Sequence, residues 1–188
     1  MHYIQSLPIY FILLSLIFYI PVRYSFLQRK GIKIEYYKEL ICILWIIYLE
    51  SLLYLTIFPS GHVIHSEWVG VNLVPFDTIE DYLFLFSHGY MSTAIINLIG
   101  NIIVFIPLGI LLVLLNKKIT PIKMITIGFG STLTIETTQL VFSMSGLLSR
   151  SFDIDDLILN TLGVIIGYTG TKIALYIINH IKPPSSKN

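Results

Sequence analysis

Between Arg150 and Asn160 the chain reads RSFDIDDLILN, one guanidinium and three carboxylates ahead of a long apolar run. A carboxylate carried into an apolar segment must be protonated or partnered, so such groups mark proton transfer, ion pairing or recognition of a polar ligand. Asp153, Asp156, Asn160, Gly163 and Gly167 recur at spacings of three, four, three and four, which sets them in one helical stripe with Asp155 off it. Two other apolar stretches carry matching sets. Asn97 and Asn101 are four apart with Gly100 beside them, and Glu136 and Gln139 are three apart. Glu136 suits general acid or base work and Arg150 suits stabilising a phosphate or an oxyanion. With Asp156, they are the candidates for catalysis if the chain is an enzyme.

Plainer roles compete. The three aspartates can cap a helix and complement the positive end of its dipole, and Asn97, Asn101 and Gln139 can be structural interhelical hydrogen bonds. Glu136 resists that treatment, and Arg150 approaches it from the correct side, so an ion pair between them is expected. Elsewhere the patterns are weaker. His62, His65 and Glu67 in GHVIHSEW lack the i, i+4 spacing of a helical zinc motif. The DIDD run lacks the glycine and terminal glutamate of a calcium loop. No serine elbow or glycine-rich phosphate cradle is present, so neither a metal nor a cofactor is expected.

These residues need elements to hold them, and composition says which. Of 188 residues 55% are hydrophobic and 12% charged, and the mean hydropathy is +0.79, more apolar than a soluble core of this size can absorb. The expected fold is an all-α integral membrane protein, a bundle of about five transmembrane helices near 3–22, 39–58, 93–115, 122–142 and 154–179. Continuous apolar runs rather than alternating ones favour helices over a barrel. The first segment lacks a basic start and a small-residue cleavage site, so it reads as a retained helix rather than a signal peptide. The single cysteine, Cys42, excludes an internal disulfide. The net charge of +1 argues against a nucleic-acid partner. Residues 1–38 form a first helix and basic loop, 39–180 a helical membrane domain, and 181–188 a polar tail.

Orientation follows from the twelve Lys and Arg residues. Arg23, Arg29, Lys30, Lys33 and Lys38, then Lys117, Lys118 and Lys123, then Lys172, Lys182 and Lys187 fall on one side of a five-helix arrangement. That side is expected to be cytoplasmic, with the N-terminus outside and the C-terminus inside. Arg150 is then the lone external cation. The three polar sets fall in the outer half of their spans, at one depth, while Glu50 lies nearer the middle of the second span.

In order, spacing and residue type, VNLVPF (71–76), NLIGNIIVFIPLG (97–109), IETTQ (135–139) and RSFDIDDLILNTLGVIIGY (150–168) resemble the VanZ-like family. TIFP at 56–59 is similar to the Phe-Pro end of that family's preceding helix, and Ser149 stands where a glycine is expected. The resemblance implies a bacterial cell-membrane protein whose founding relative is associated with lowered susceptibility to teicoplanin, a lipoglycopeptide. It implies a ligand-binding set of Asn72, Asn97, Asn101, Glu136, Gln139, Arg150, Asp153, Asp156 and Asn160. Three classes of function stay open. One is a non-enzymatic envelope protein that senses, binds or excludes a lipidated glycopeptide, or alters surface access to its target. Another is an intramembrane enzyme acting on a lipid or lipid-linked cell-wall intermediate. The third is a proton-coupled transporter or flippase, against which the absence of an inverted repeat counts. Membrane lipids are partners in all three.

Overall fold

A computed structural model describes residues 2–57, 70–148 and 150–181. The chain divides into two units, Met1–His62 and Val63–Asn188.

The first unit is a helical hairpin of α1 (His2–Arg29) and α2 (Tyr36–Ile57). α1 stops where Gly31 takes φ 62°, a left-handed conformation that costs glycine nothing. The Gly31 N–H then reaches the Gln28 carbonyl at 3.0 Å and the Ile32 N–H the Leu27 carbonyl at 3.0 Å, the paired closure of a Schellman motif. Across the hairpin, Arg23 donates from Nε and Nη2 to both carboxylate oxygens of Glu39 at 3.0 and 2.9 Å.

The second unit comprises β1 (Val71–Asn72), α3 (Asp77–Ser87), α4 (Met91–Leu115), α5 (Pro121–Met144), β2 (Phe152–Asp153) and α6 (Ile154–Ile181). α6 is its spine. Its broadest packing is against α4, and glycines set the distance: a Cβ on Gly163 would sit 2.2 Å from the Ile102 carbonyl oxygen, and one on Gly167 2.1 Å from that of Ile106. Gly109 of α4 answers with 2.2 Å to the Val164 carbonyl oxygen. The sequence expectation of close approach at this G-x-x-x-G therefore holds, with α4 as the partner. Phe105, Val113, Met124 and Val164 are fully buried, whereas Ile96, Ile122, Phe129 and Ile177 point outward. An apolar exterior around a small packed interior suits a lipid solvent.

Among the described residues four helices are long and apolar enough to cross a membrane: Pro8–Arg29, Tyr36–Thr56, Met91–Leu115 and Ile154–Ile181. α5, expected as a span of its own, has 24 residues but is not in that set. The reason is its polar content, which includes Thr132, Glu136, Gln139 and Ser143, all buried. The loop expected between the second and third spans also holds more structure than anticipated. Val71 and Asn72 pair in parallel with Phe152 and Asp153, and α3 follows directly.

Candidate functional site

The polar residues of α4, α5 and α6 meet at the end of the second unit where α6 begins. Each helix delivers its group by periodicity. On α5 the buried residues run Met124, Gly128, Thr132, Glu136, Gln139, Ser143, one continuous face whose first part is apolar and whose remainder is polar. On α6 the stripe from Asp156 to Gly167 lies where both neighbours touch it. Asp156 accepts from Asn101 Nδ2 of α4, and Asn160 Nδ2 donates to Thr132 Oγ1 of α5 at 2.8 Å.

Glu136 sits at the centre and is 3% exposed. The main-chain N–H of Asp153 hydrogen-bonds its carboxyl, while Oε2 is buried without a hydrogen-bond partner. Asp156, Asp153 and Arg150 lie within electrostatic reach of it. Gln139, one helical turn further along, is buried and engaged. A carboxyl in this setting, half satisfied and walled off from water, can hold or exchange a proton, or accept a hydrogen bond from a ligand donor.

The three aspartates divide their work. Asp153 Oδ1 accepts the Asp155 N–H at 2.9 Å, which caps α6 as the plainer sequence reading had it. Its Oδ2 accepts from Thr78 Oγ1 at 2.5 Å, and Thr78 Oγ1 accepts in turn from Asn72 Nδ2 at 2.9 Å. Asn72 Oδ1 closes an Asx turn on the Val74 N–H at 3.0 Å. Asp155 is fully buried and caps a different helix: its oxygens take the N–H groups of Phe76 at 2.6 Å and Ile79 at 3.1 Å, at the start of α3. That clamp matters because Phe76 holds φ 71°, a conformation costly for a bulky side chain. It also settles α3 beside the cluster. Burial first, then the carboxylates of Asp156 and Asp153, pushes the Tyr82 phenol on α3 above its ordinary range.

Two expected members stand differently. Asn97 donates to the Thr93 carbonyl of its own helix at 2.8 Å rather than into the cluster. Arg150 is exposed; its main-chain N–H donates to Ser143 Oγ at 3.0 Å, and no ion pair within 4.0 Å joins its guanidinium to Glu136 among the described residues. The carboxylates reach it through space, so the expected direct pair is replaced by a looser field. Glu50 belongs to the first unit, where its Oε2 is buried without a partner. His62, His65 and Glu67 lie outside the described residues.

Sequence reasoning missed Thr78, Thr132, Ser143 and Tyr82, and it read Asp155 as a helix cap without the reach to α3. Thr132 and Ser143 had a usable signal, lying four residues before Glu136 and four after Gln139. The reach of Asp155 had none, because its partners are 79 and 76 residues away.

A family model described as VanZ/LLP1 matches residues 45–177 of the chain, so α3 to α5, most of α6 and every member of the cluster fall within the matched segment. No curated protein and no solved structure matches.

Proposed function

Because the chain belongs to the VanZ/LLP1 family, we propose that it is a multi-pass protein of the bacterial cell membrane that lowers susceptibility to teicoplanin-type lipoglycopeptides through the polar cluster of α4, α5 and α6. The observation that carries this reading is the convergence of Asn101, Asp156, Thr132, Asn160 and Glu136 from three helices, with one buried carboxylate oxygen of Glu136 left open. Unpaired polarity beside lipid-facing apolar surface suits a ligand with a polar head and an acyl tail. On this reading α5 is the further span, with its polar face hidden against α6. The cluster lies in the outer half of the bilayer, and Lys117, Lys118, Lys123 and Lys172 lie at the cytoplasmic end. Lys172 Nζ donates to the Lys117 carbonyl at 2.6 Å, which fits an end that gathers cations away from the aspartates.

In cells challenged with teicoplanin, Glu136→Gln and Asp156→Asn should abolish protection at normal protein abundance, and protection against vancomycin, which lacks the acyl chain, should be smaller throughout. Replacing Arg29 and Lys30 with Gln leaves Arg23, Lys33 and Lys38 to orient the chain and should leave protection intact. Protection by the Glu136 and Asp156 variants equal to that of the wild type would remove the cluster from the function. A cysteine at Glu80 should be labelled from outside and one at Lys118 only after permeabilisation.

A second reading draws on the same open oxygen. Glu136 would serve as general acid or base on a lipid or polyprenyl-linked envelope intermediate, with the Arg150 guanidinium beside the departing or attacking oxygen. Turnover of such a substrate by purified protein, stopped by Glu136→Gln with binding retained, would favour the enzyme over the binding protein.

A further inference from the structure

We infer that the turn end of the α1–α2 hairpin is a binding site for an anionic phospholipid, which lays part of one acyl chain between the helices and sets its phosphate at Arg23. The inference is independent of the polar cluster: the residues that build it lie between Tyr19 and Ile43, before the family match begins at residue 45.

The site is a cavity of about 290 Å³ within the first unit, walled by Tyr19, Tyr24, Leu27, Ile34 and Ile43, with Arg23 and Glu39 as its charged members. Its largely apolar walls would take hydrocarbon, the phenols of Tyr19, Tyr24 and Tyr36 lie among them, and its one charged element is the ion pair. That pair uses Nε and Nη2 of Arg23, so among the described residues Nη1 remains free to donate while Glu39 fixes the plane of the guanidinium. A positioned fork with unused donors is suited to phosphate. The Arg23 side chain retains 34% of its exposure, so the fork is reachable from outside.

Charge around the cavity selects the sign of the headgroup. Between residues 23 and 39 the cations Arg23, Arg29, Lys30, Lys33 and Lys38 face only Glu35 and Glu39. Arg23 pairs with Glu39 and Lys38 with Glu35 at 2.7 Å, which leaves Arg29, Lys30 and Lys33 with no acidic partner within 4.0 Å among the described residues. Lys33 is next in the chain to Ile34 of the cavity wall, and Lys30 Nζ rests 4.7 Å from the centre of the Phe26 ring, at the same end of the hairpin. A zwitterionic headgroup carries no net charge to meet this surplus, whereas an anionic one is drawn by every cation near the lipid surface. The cation bias assigns this end to the cytoplasmic leaflet, where anionic headgroups face it.

The test uses the full chain, purified in detergent and offered phosphatidylglycerol or phosphatidylcholine with identical acyl chains, or inorganic phosphate alone. Lipid retention is read by native mass spectrometry and stabilisation by thermal unfolding. Phosphatidylglycerol should be retained about tenfold over phosphatidylcholine and should raise the unfolding temperature, with phosphate alone inactive. The double variant Arg23→Gln, Glu39→Gln keeps hydrogen-bonding groups at both positions without charge, and should bring the two lipids to parity. Ile43→Trp fills the cavity without touching a charge and should lower phosphatidylglycerol retention in a protein that still folds, which decides the matter if the double variant does not fold. Equal retention of both lipids by the wild type, a full stabilisation by phosphate alone, or undiminished preference in Ile43→Trp would each overturn the site.

Discussion

α6 meets its two neighbours in opposite ways. Against α4 the contact is made by absence: Gly163 and Gly167 let main-chain atoms touch, and no side chain could be added without displacing a carbonyl. Against α5 the contact is made by chemistry, with Asn160 bonded to Thr132 and Glu136 held beside the first turn of α6. Both kinds of contact suit a lipid solvent. With no water to expel between helices, association relies on close van der Waals approach or on interhelical hydrogen bonds. The glycine seam supplies the first and is rigid by geometry. The polar seam supplies the second and keeps groups unsatisfied, among them Asn160 Oδ1, Thr161 Oγ1 and Glu136 Oε2. Unsatisfied buried groups are a cost that a purely structural seam would shed, which is what the proposed function draws on.

The largest expected effect comes from closing the gap in the glycine seam. Gly167→Leu, or Gly163→Leu, would drive a side chain into the main chain of α4, and even alanine at these positions meets an oxygen at 2.1 or 2.2 Å. Overpacking of a well-packed core costs about 1–3 kcal/mol, and a backbone obstacle exceeds that range. Thermal unfolding in detergent should show the leucine variants failing to reach a folded state. Gly130→Ala on α5, where nothing lies within 4 Å, should be neutral or stabilise by about 0.5–1 kcal/mol. A harmless Gly167→Leu would mean that α4 and α6 do not approach in this way.

A middle-sized effect tests whether the polar end is built from long range. Asp155→Ala removes the acceptor of the Phe76 and Ile79 N–H groups. Hydrogen bonds to a charged group are worth about 1.5–3 kcal/mol each, so α3 should open while α4 and α6 stay packed. Hydrogen exchange should rise across 76–82 and remain slow across 101–111. Uniform loss of protection would show that α3 and the spine unfold as one.

How far these features could be read in advance depends on the reach of the interaction. Four of the five spans, the G-x-x-x-G and the polar sets of Asn101, Glu136 and Asp156 were legible because helical periodicity is local and polarity inside long apolar runs is conspicuous. The close approach at Gly163 and Gly167 met that expectation. The α3 helix was not seen, since eleven residues with Asp77, Glu80 and Asp81 among them resemble a solvated loop. Its N-terminus has no side-chain cap of its own, and Asp155 supplies one from 79 residues further along the chain. The pairing of β1 with β2 is too short to leave a pattern. Asn97 and Arg150 make contacts that sequence did not foresee for a shared reason: residue type marks a polar group as costly, but rotamer and neighbours decide whether it turns to its own helix, to solvent or to a partner.

The smallest expected effect on stability separates structure from function on the polar seam. Thr132→Val leaves Asn160 Nδ2 as a buried donor without its acceptor, and interhelical hydrogen bonds in membranes average about 0.6 kcal/mol, so the single variant should lose about 1 kcal/mol. Asn160→Leu removes the donor and also the unpartnered Oδ1, so its cost should be lower still. Made together, the two substitutions leave neither an orphan donor nor an orphan acceptor at this point, and the double variant should unfold within about 0.5 kcal/mol of the wild type. The glycine seam permits no such compensation, because no second substitution can move a carbonyl out of the way. Teicoplanin protection read alongside unfolding then gives the two outcomes different meanings. Retained stability with lost protection places Asn160 among the groups that the ligand needs. Retained stability with full protection confines its role to joining α5 to α6, and leaves Glu136 and Asp156 to carry recognition.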